Sequence, residues 1–467
     1  MTPVILWTDA LIFVLVAAVV ALGVYIHRAR HLRAQWRRVV SSPLGAGALV
    51  VVLAYVAVGL LDSLHFRYTD GESGQARYAG EVLSVFDRIV TPLRMNEETT
   101  YSAPFATHAY VKETVTLPDG RQVRDYPRLA HGGAHLADPK EDRLGDILAR
   151  TIIGALEGLA VWAVAVLALA AWRARRASAT LFAAAGDMLR GRTELPWHVI
   201  IATAAVLMVL VGAAAELAPK YHILGTDKVG QDVLYQALKS IRTGLVIGTL
   251  TTLVMLPFAI LLGIMAGYFG GWIDDAIQYV YTTLNSIPGI LLIAAAILML
   301  QVYMANHPDL FDSVEKRADM RLLALCVILG ITSWTGLCRL LRGESLKLRE
   351  LEYVQAAVAF GVGNLRIIGR HLLPNVMHIV LISVVLDFSA LVLAEAVLSY
   401  VEIGVDPTMN SWGNMINSAR LEMARDPIVW WSLFAAFLFM FTLVLAANLF
   451  ADAVRDAFDP RLRVRSA

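Results

Sequence analysis

Cysteine and charge are both scarce in this chain of 467 residues, with two cysteines and 17% charged residues. The two thiols, Cys326 and Cys338, lie in one hydrophobic segment. On a single helix they would stand roughly 18 Å apart, too far for a disulfide, so they read as inert packing residues. A soluble domain carries about a quarter charged residues, so the second shortage excludes that class. A net charge of +1 gives no reason to expect a nucleic-acid partner. No G-x-x-x-x-G-K-[ST] phosphate loop occurs, so nothing here cradles a nucleotide in the usual way. Residues 1–7 contain no Lys or Arg, and the apolar run to Tyr25 is too long for a cleavable signal core. That run is read as a retained anchor. No internal repeat and no low-complexity tract is evident.

What the chain has in abundance is apolar sequence, 57% of all residues. It is gathered in runs of about 20, the length that crosses roughly 30 Å of hydrocarbon as a helix. The expected architecture is an all-α polytopic membrane protein. Nine spans are expected, near 5–25, 44–61, 151–171, 197–215, 244–268, 276–304, 322–341, 376–400 and 428–450. Lys and Arg collect on the cytoplasmic side of membrane helices. "HRARHLRAQWRR" (27–38), "RARR" (173–176) with Arg190 and Arg192, the 342–375 loop and the tail "RDAFDPRLRVR" (455–465) are the basic segments. Nine crossings with the N-terminus outside place all of them, and the C-terminus, in the cytoplasm. The short acidic "GGWIDD" (270–275) would share that side.

The hydrophilic stretch 62–150 is long enough for a small α/β insert on the outer side. Within it, "YVKETVTLPDGRQV" alternates apolar and polar residues around a Pro-Asp-Gly turn, the pattern of a β-hairpin. "HGGAH" offers His131 and His135, but its glycines argue against the helix that i, i+4 zinc ligation uses. Inside the spans, Pro257 and Pro288 should each free a carbonyl and kink a helix. Asp387 and Glu395 are expensive facing lipid, so each should face protein or a water-filled cavity. These four are the intramembrane or gating candidates.

One segment stands out between two apolar runs: "EYVQAAVAFGVGNLRIIGRHLLPN" (352–375). A first helix is expected from Glu352 to Phe360, ended by positive φ at Gly361 and Gly363. Asn364 should cap a second helix, Leu365 to Leu373. Pro374 should then set a boundary, because the residue before a proline avoids the α region. Small side chains at Ala356, Ala357 and Ala359 leave the first helix thin enough to enter a groove. Taken alone, the segment fits a lipid-surface loop or a docking element for a cytoplasmic partner.

The segment resembles the "EAA" loop of ABC-importer permeases. Gln355, Ala356, Ala357, Gly361, Leu373 and Pro374 occupy that pattern, with Gln355 where the motif has glutamate and Glu352 one turn earlier. "HILGTDKVGQDVL" (222–234) resembles the His-Pro-Leu-Gly-Thr-Asp signature of dipeptide and oligopeptide permeases, with Ile223 in place of proline. "GIMAGYFGGWIDD" (263–275), "LAEAVLSYVEIGVDPTMNSWGNMI" (393–416) and "NLFADAVRDAFDPRLR" (448–463) resemble that family's later segments in order. The matches cover about 220 to 465 and are similar to the C-type subunit. "WRRVVSSPLGAGALVVVL" (36–53) resembles the family's entry into its first span; residues 62–196 then intervene.

The resemblance implies a type I permease core of about six helices, with about three extra helices in the N-terminal region. The expected divisions are 1–61 for two N-terminal helices, 62–150 for the insert, 151–196 for an extra helix and loop, and 197–467 for the permease domain. It also implies a coupling role for Glu352, Tyr353, Gln355, Ala356, Ala357, Gly361, Arg366, His371 and Pro374. The implied partners are a B-type permease, two cytoplasmic ATPases that use ATP and Mg, a periplasmic binding protein and the bilayer of a bacterial inner membrane. The chain itself would hold no cofactor or metal and would not be an enzyme. Two other readings stand beside it: a self-contained ion-coupled secondary transporter, and a membrane-anchored enzyme or sensor using the 62–150 segment.

Overall fold

In the computed structural model the described residues are 2–28, 30–67, 82–116, 122–177, 180–191, 193–311 and 313–458. Strand β1 is Thr2–Val4, followed by α1 (Trp7–Arg28), α2 (Arg30–Ser41) and α3 (Pro43–Asp62). Next come β2 (His65–Arg67), β3 (Val82–Ser84), α4 (Val85–Ile89), α5 (Thr91–Met95), β4 (Glu113–Thr116) and β5 (Gln122–Asp125). The long α6 (Arg143–Ala177), α7 (Leu181–Leu189) and α8 (Trp197–Leu217) precede α9 (Val233–Phe269), α10 (Gly271–Ser286) and α11 (Gly289–Asn306). The remainder is α12 (Val314–Ser333), α13 (Thr335–Arg349), α14 (Glu352–Ala359), α15 (Asn364–Ile367), α16 (Leu373–Tyr400), α17 (Trp412–Glu422) and α18 (Trp431–Phe458).

Nine helical stretches among the described residues are long and apolar enough to cross a membrane, the number expected. Several of them run past the bounds that hydropathy alone marks. The fifth, for example, is all of α9, because the polar turns flanking its apolar centre are helical too. The expected span 322–341 runs across the α12/α13 junction within one candidate stretch, and another expected span divides outright. Residues 276–304 divide into α10 and α11, and only α11 is a candidate span. Pro288 sits at the break rather than inside a kinked helix. Ile287 is forced to φ −90°, ψ 129°, the extended conformation that a following proline imposes. Pro257, by contrast, lies inside α9 as expected.

Two units make up the chain. The first comprises Met1–Val4, Arg37–Arg242 and Asn410–Ala446. In it, β1, β2 and β3 form a small antiparallel sheet and β4 pairs with β5. That second pair is the expected hairpin; its Pro-Asp-Gly turn lies outside the described residues. Ser42 caps α3 through Gly45 N–H, with Pro43 in the first turn. Ser84 and Asp87 form a reciprocal capping box on α4. Helices α6 and α8 lie together through glycine. A Cβ on Gly158 would stand 2.2 Å from the Met208 carbonyl oxygen, and one on Gly212 2.2 Å from that of Gly154. Such backbone approach is how membrane helices gain packing when lipid supplies no hydrophobic drive.

The second unit comprises Ile5–Trp36, Thr243–Met409 and Ala447–Ala467. Its core gathers Tyr268, Leu337, Leu341, Val354, Ile367, Leu372 and Val376. The start of α1 is held by Asp319 of α12, which accepts the Thr8 N–H at 3.3 Å and also its hydroxyl. Cys326 and Cys338 are free and buried, on either side of the α12/α13 junction.

Candidate coupling site and intramembrane carboxylates

Helix α14 begins after Leu351 and ends in a hydrogen-bond pattern that specifies Gly361. Val362 N–H donates to the Ala357 carbonyl at 3.0 Å and Gly361 N–H to Val358 at 2.9 Å, a Schellman arrangement. Gly361 takes φ +73° there, and a Cβ would meet nothing within 4 Å. The requirement for glycine is therefore conformational rather than spatial. Gly363 departs from expectation: its φ is −63°, and it is the residue before α15. Asn364 does not cap that helix either. Its side-chain oxygen accepts the Tyr268 hydroxyl at 3.0 Å, which ties the bend to α9.

The second helix and the following span also join differently from expectation. Residues 368–372 form a π turn between α15 and α16, and helix runs on to Tyr400. Proline has no N–H and its ring crowds the carbonyl four residues back. A widened π turn just before Pro374 relieves both problems, so the helix is adjusted rather than stopped. Asn375 Nδ2 donates to the His371 carbonyl at 2.6 Å and to the Tyr353 hydroxyl at 3.2 Å. The rings of Tyr353 and His371 lie 5.9 Å apart.

This segment has two unlike faces. Val354, Ile367 and Leu372 are fully buried in the second unit's core. Phe360 and Leu365, on either side of the bend, are 87% and 86% exposed. Glu352, Gln355, Ala356, Arg366 and Pro374 are exposed, and Ala357 is half-buried. Gln355 Nε2 donates to Glu350 at 3.2 Å, so the residue standing in place of the motif glutamate has a local partner. Close in sequence to α9, Asp274 at the start of α10 receives two bonds from Arg342, at 2.6 and 2.7 Å. The bond from the Arg342 guanidinium holds the Asp274 carboxyl below its ordinary range, against burial.

The two intramembrane carboxylates of α16 differ. Glu395 is buried, and Ser399 Oγ donates to it at 2.7 Å. Asp387 is half-buried and makes no hydrogen bond or ion pair with the described residues. Pro257 and Pro288 both expose their rings.

Sequence reasoning missed a second cluster, in the first unit. His222 opens the "HILGTD" stretch; its Nδ1 is 2.8 Å from Asp232 and its Nε2 3.3 Å from Glu98. All three are buried. Glu98 also accepts the backbone N–H groups of Ala130, His131 and Gly132, at 2.8 to 3.0 Å. The "HGGAH" stretch is thus a turn that closes over a carboxylate, with Gly133 at φ +66° and His135 paired to Asp146. Burial alone would raise the Glu98 carboxyl, yet bonds from His222 and the three amides hold it down at about 2. Burial alone would lower His222, yet Asp232 and Glu98 raise it to about 9. Thr226 completes the join: its hydroxyl reaches the Thr100 carbonyl at 2.8 Å, and the Trp431 indole donates to its carbonyl at 2.9 Å. A Cβ on Gly230 would fall 1.8 Å from the Glu98 carbonyl oxygen, so only glycine fits. Glu98 lies 124 residues before His222, and no local pattern could have paired them.

Comparison with known proteins gives the family. The binding-protein-dependent transport system inner membrane component family matches residues 259–464. A glutathione transport system permease protein of Pectobacterium atrosepticum is 33% identical over 242 residues, 52% of this chain and 73% of that protein. A dipeptide transport system permease protein of Bacillus subtilis is 31% identical over 52% of this chain and 69% of its own length. An oligopeptide transport system permease protein of Mycobacterium bovis is 33% identical over 52% and 77% respectively. Nine apolar helical stretches among the described residues and this extent of shared sequence lead to one conclusion: the chain belongs to the binding-protein-dependent transport system inner membrane component family, the permease subunits of ABC importers.

Proposed function

We propose that this chain is the permease subunit of an ATP-driven importer of peptides or related small solutes. It lies in a bacterial inner membrane with its N-terminus outside and its C-terminus in the cytoplasm. It forms half of a translocation path beside a B-type permease and receives cargo from an extracytoplasmic binding protein. Segment 352–375 seats in one of two cytoplasmic ATPase subunits, where ATP and Mg are used. The relatives' names support the peptide assignment, and the basic segments support the sidedness. Residues 62–150 act as an outer domain.

The observation that carries the coupling role is the two-faced segment itself. Its inner side chains are locked into the core, while Phe360 and Leu365 project outward. Burying each such side chain is worth about 1.5–3 kcal/mol, a gain that a fitted groove on a partner would collect. A lever needs this combination of rigid attachment and an open contact face. Gentle detergent extraction should recover the chain together with an ATPase and a second permease; isolation of the chain alone argues against the reading. Gly361→Pro or Ala357→Arg should leave membrane insertion intact and abolish uptake. Uptake that persists in both variants removes the docking role.

A further inference from the structure

Asp387 is 14 residues into α16 from Leu373, about 21 Å along the axis and deep in the span. Helical spacing puts it on the same face as Val380 (i−7), Val376 (i−11), Leu391 (i+4) and Leu398 (i+11). Those four side chains are all buried. A different stripe, Leu386, Leu393 and Val397, is the exposed one. Asp387 therefore sits in line with the packed face, not with the outward apolar stripe. It is nonetheless half-open, and no described residue donates a bond or an opposite charge to it. Eight residues on, Glu395 shows the alternative, a carboxylate sealed in and bonded to Ser399.

An unpaired carboxylate in the apolar layer costs several kcal/mol unless water or a cation meets it or it takes up a proton. Among the described residues no cation meets this carboxylate, so a cation that pairs with it comes from elsewhere. The chain's relatives are named for dipeptide, oligopeptide and glutathione transport. An unmodified peptide carries an α-ammonium group, the chemical complement of a lone carboxylate. We propose that Asp387 is a cation-binding position on the translocation path and that it takes the α-ammonium group of a passing peptide. This rests on the peptide-import reading above. The competing occupant is a Lys or Arg side chain of the second permease.

The test uses cells holding the complete transporter, with labelled trialanine and N-acetyl-trialanine as probes. A charge-assisted hydrogen bond is worth about 1.5–3 kcal/mol, so Asp387→Asn should raise the KM for trialanine at least about tenfold. The acetylated peptide should be unaffected, and Asp387→Glu should restore most of the loss. Equal losses for both peptides, or no loss for either, overturn the proposal. So does an Asp387→Asn complex that sheds the second permease on gentle purification, which marks the carboxylate as an intersubunit pair. A second measurement is independent of cargo. A thiol introduced by Ser383→Cys, one turn before Asp387, is treated with a trimethylammonium and a sulfonate methanethiosulfonate reagent; the native thiols are buried. Reactivity should favour the cationic reagent, and Asp387→Asn should abolish that preference. An unreactive thiol or an unchanged ratio overturns the cation position. If the parent transporter carries neither peptide but the labelling preference holds, the peptide reading fails and the cation position stands.

Discussion

The cluster around His222 and the segment around Gly361 solve opposite problems with similar local means. Both rest on glycine turns and short capped elements. In the first, every strong polar group is answered within the chain: Asp232 and Glu98 flank the imidazole, and three amides fill the remaining acceptors of Glu98. In the second, the apolar groups that matter most are unanswered, with Phe360 and Leu365 turned outward. A closed polar cluster fixes conformation, because each buried charge penalises any arrangement that breaks the set. An open apolar face has no such internal purpose; it lowers free energy only when something covers it. The lesson is that the 222–234 signature in this protein is joined to residues 98–132 by closed polar contacts, whereas 352–375 leaves its bulkiest apolar side chains exposed.

The largest expected effect tests the closed side. Glu98→Ala leaves three backbone amides and one flank of His222 unpaired, and removing one member of a buried charge set costs about 3–5 kcal/mol. The thermal transition of the detergent-solubilised chain should fall by many degrees. A shift of under a degree would show that the cluster is not the join described. Next in size is the open side. Phe360→Ser should leave that transition unchanged while weakening ATPase association by about 1.5–3 kcal/mol, read as retention on an immobilised ATPase. A lowered transition with intact association would reverse the contrast.

The smallest effect is the pH response of the closed cluster. Glu98 is depressed from 4.5 to about 2, so its contribution is complete above about pH 4.5 and fades as pH falls toward 2. His222 is raised from 6.5 to about 9, so its contribution is complete below about pH 6.5 and fades as pH climbs through 9. The transition temperature should therefore plateau between about pH 4.5 and 6.5 and decline toward pH 9. His222→Gln should flatten the alkaline decline. An unaltered decline in that variant would assign it to other groups.

Much of this was legible in the sequence because it depends on local patterns. Nine apolar runs gave nine candidate spans among the described residues, the alternation in 110–123 gave paired strands, and Gly361 took the positive φ that its place after an Ala-rich helix requires. Pro288 and Pro374 were harder. A proline forbids certain bonds but does not say whether the chain responds by breaking, as at Ile287, or by widening one turn, as at 368–372. Asn364 looked like a cap, and only the neighbouring Tyr268 hydroxyl decided otherwise. Phe360 and Leu365 could have been noticed as bulky apolar residues flanking a glycine bend, but exposure is not written in their identity.

Composition and the spacing of apolar residues by themselves determined that this is a multi-span helical membrane protein, because a bilayer requires each segment to satisfy its own backbone within about 20 residues. The ordered motifs pointed to the permease family for the same local reason. Tertiary structure alone decided which polar groups meet. Glu98 finds His222 across 124 residues, and Asp387 meets no polar partner among the described residues while Glu395 is sealed. Desolvation and pairing are properties of three-dimensional neighbours, and chain order does not encode them one position at a time.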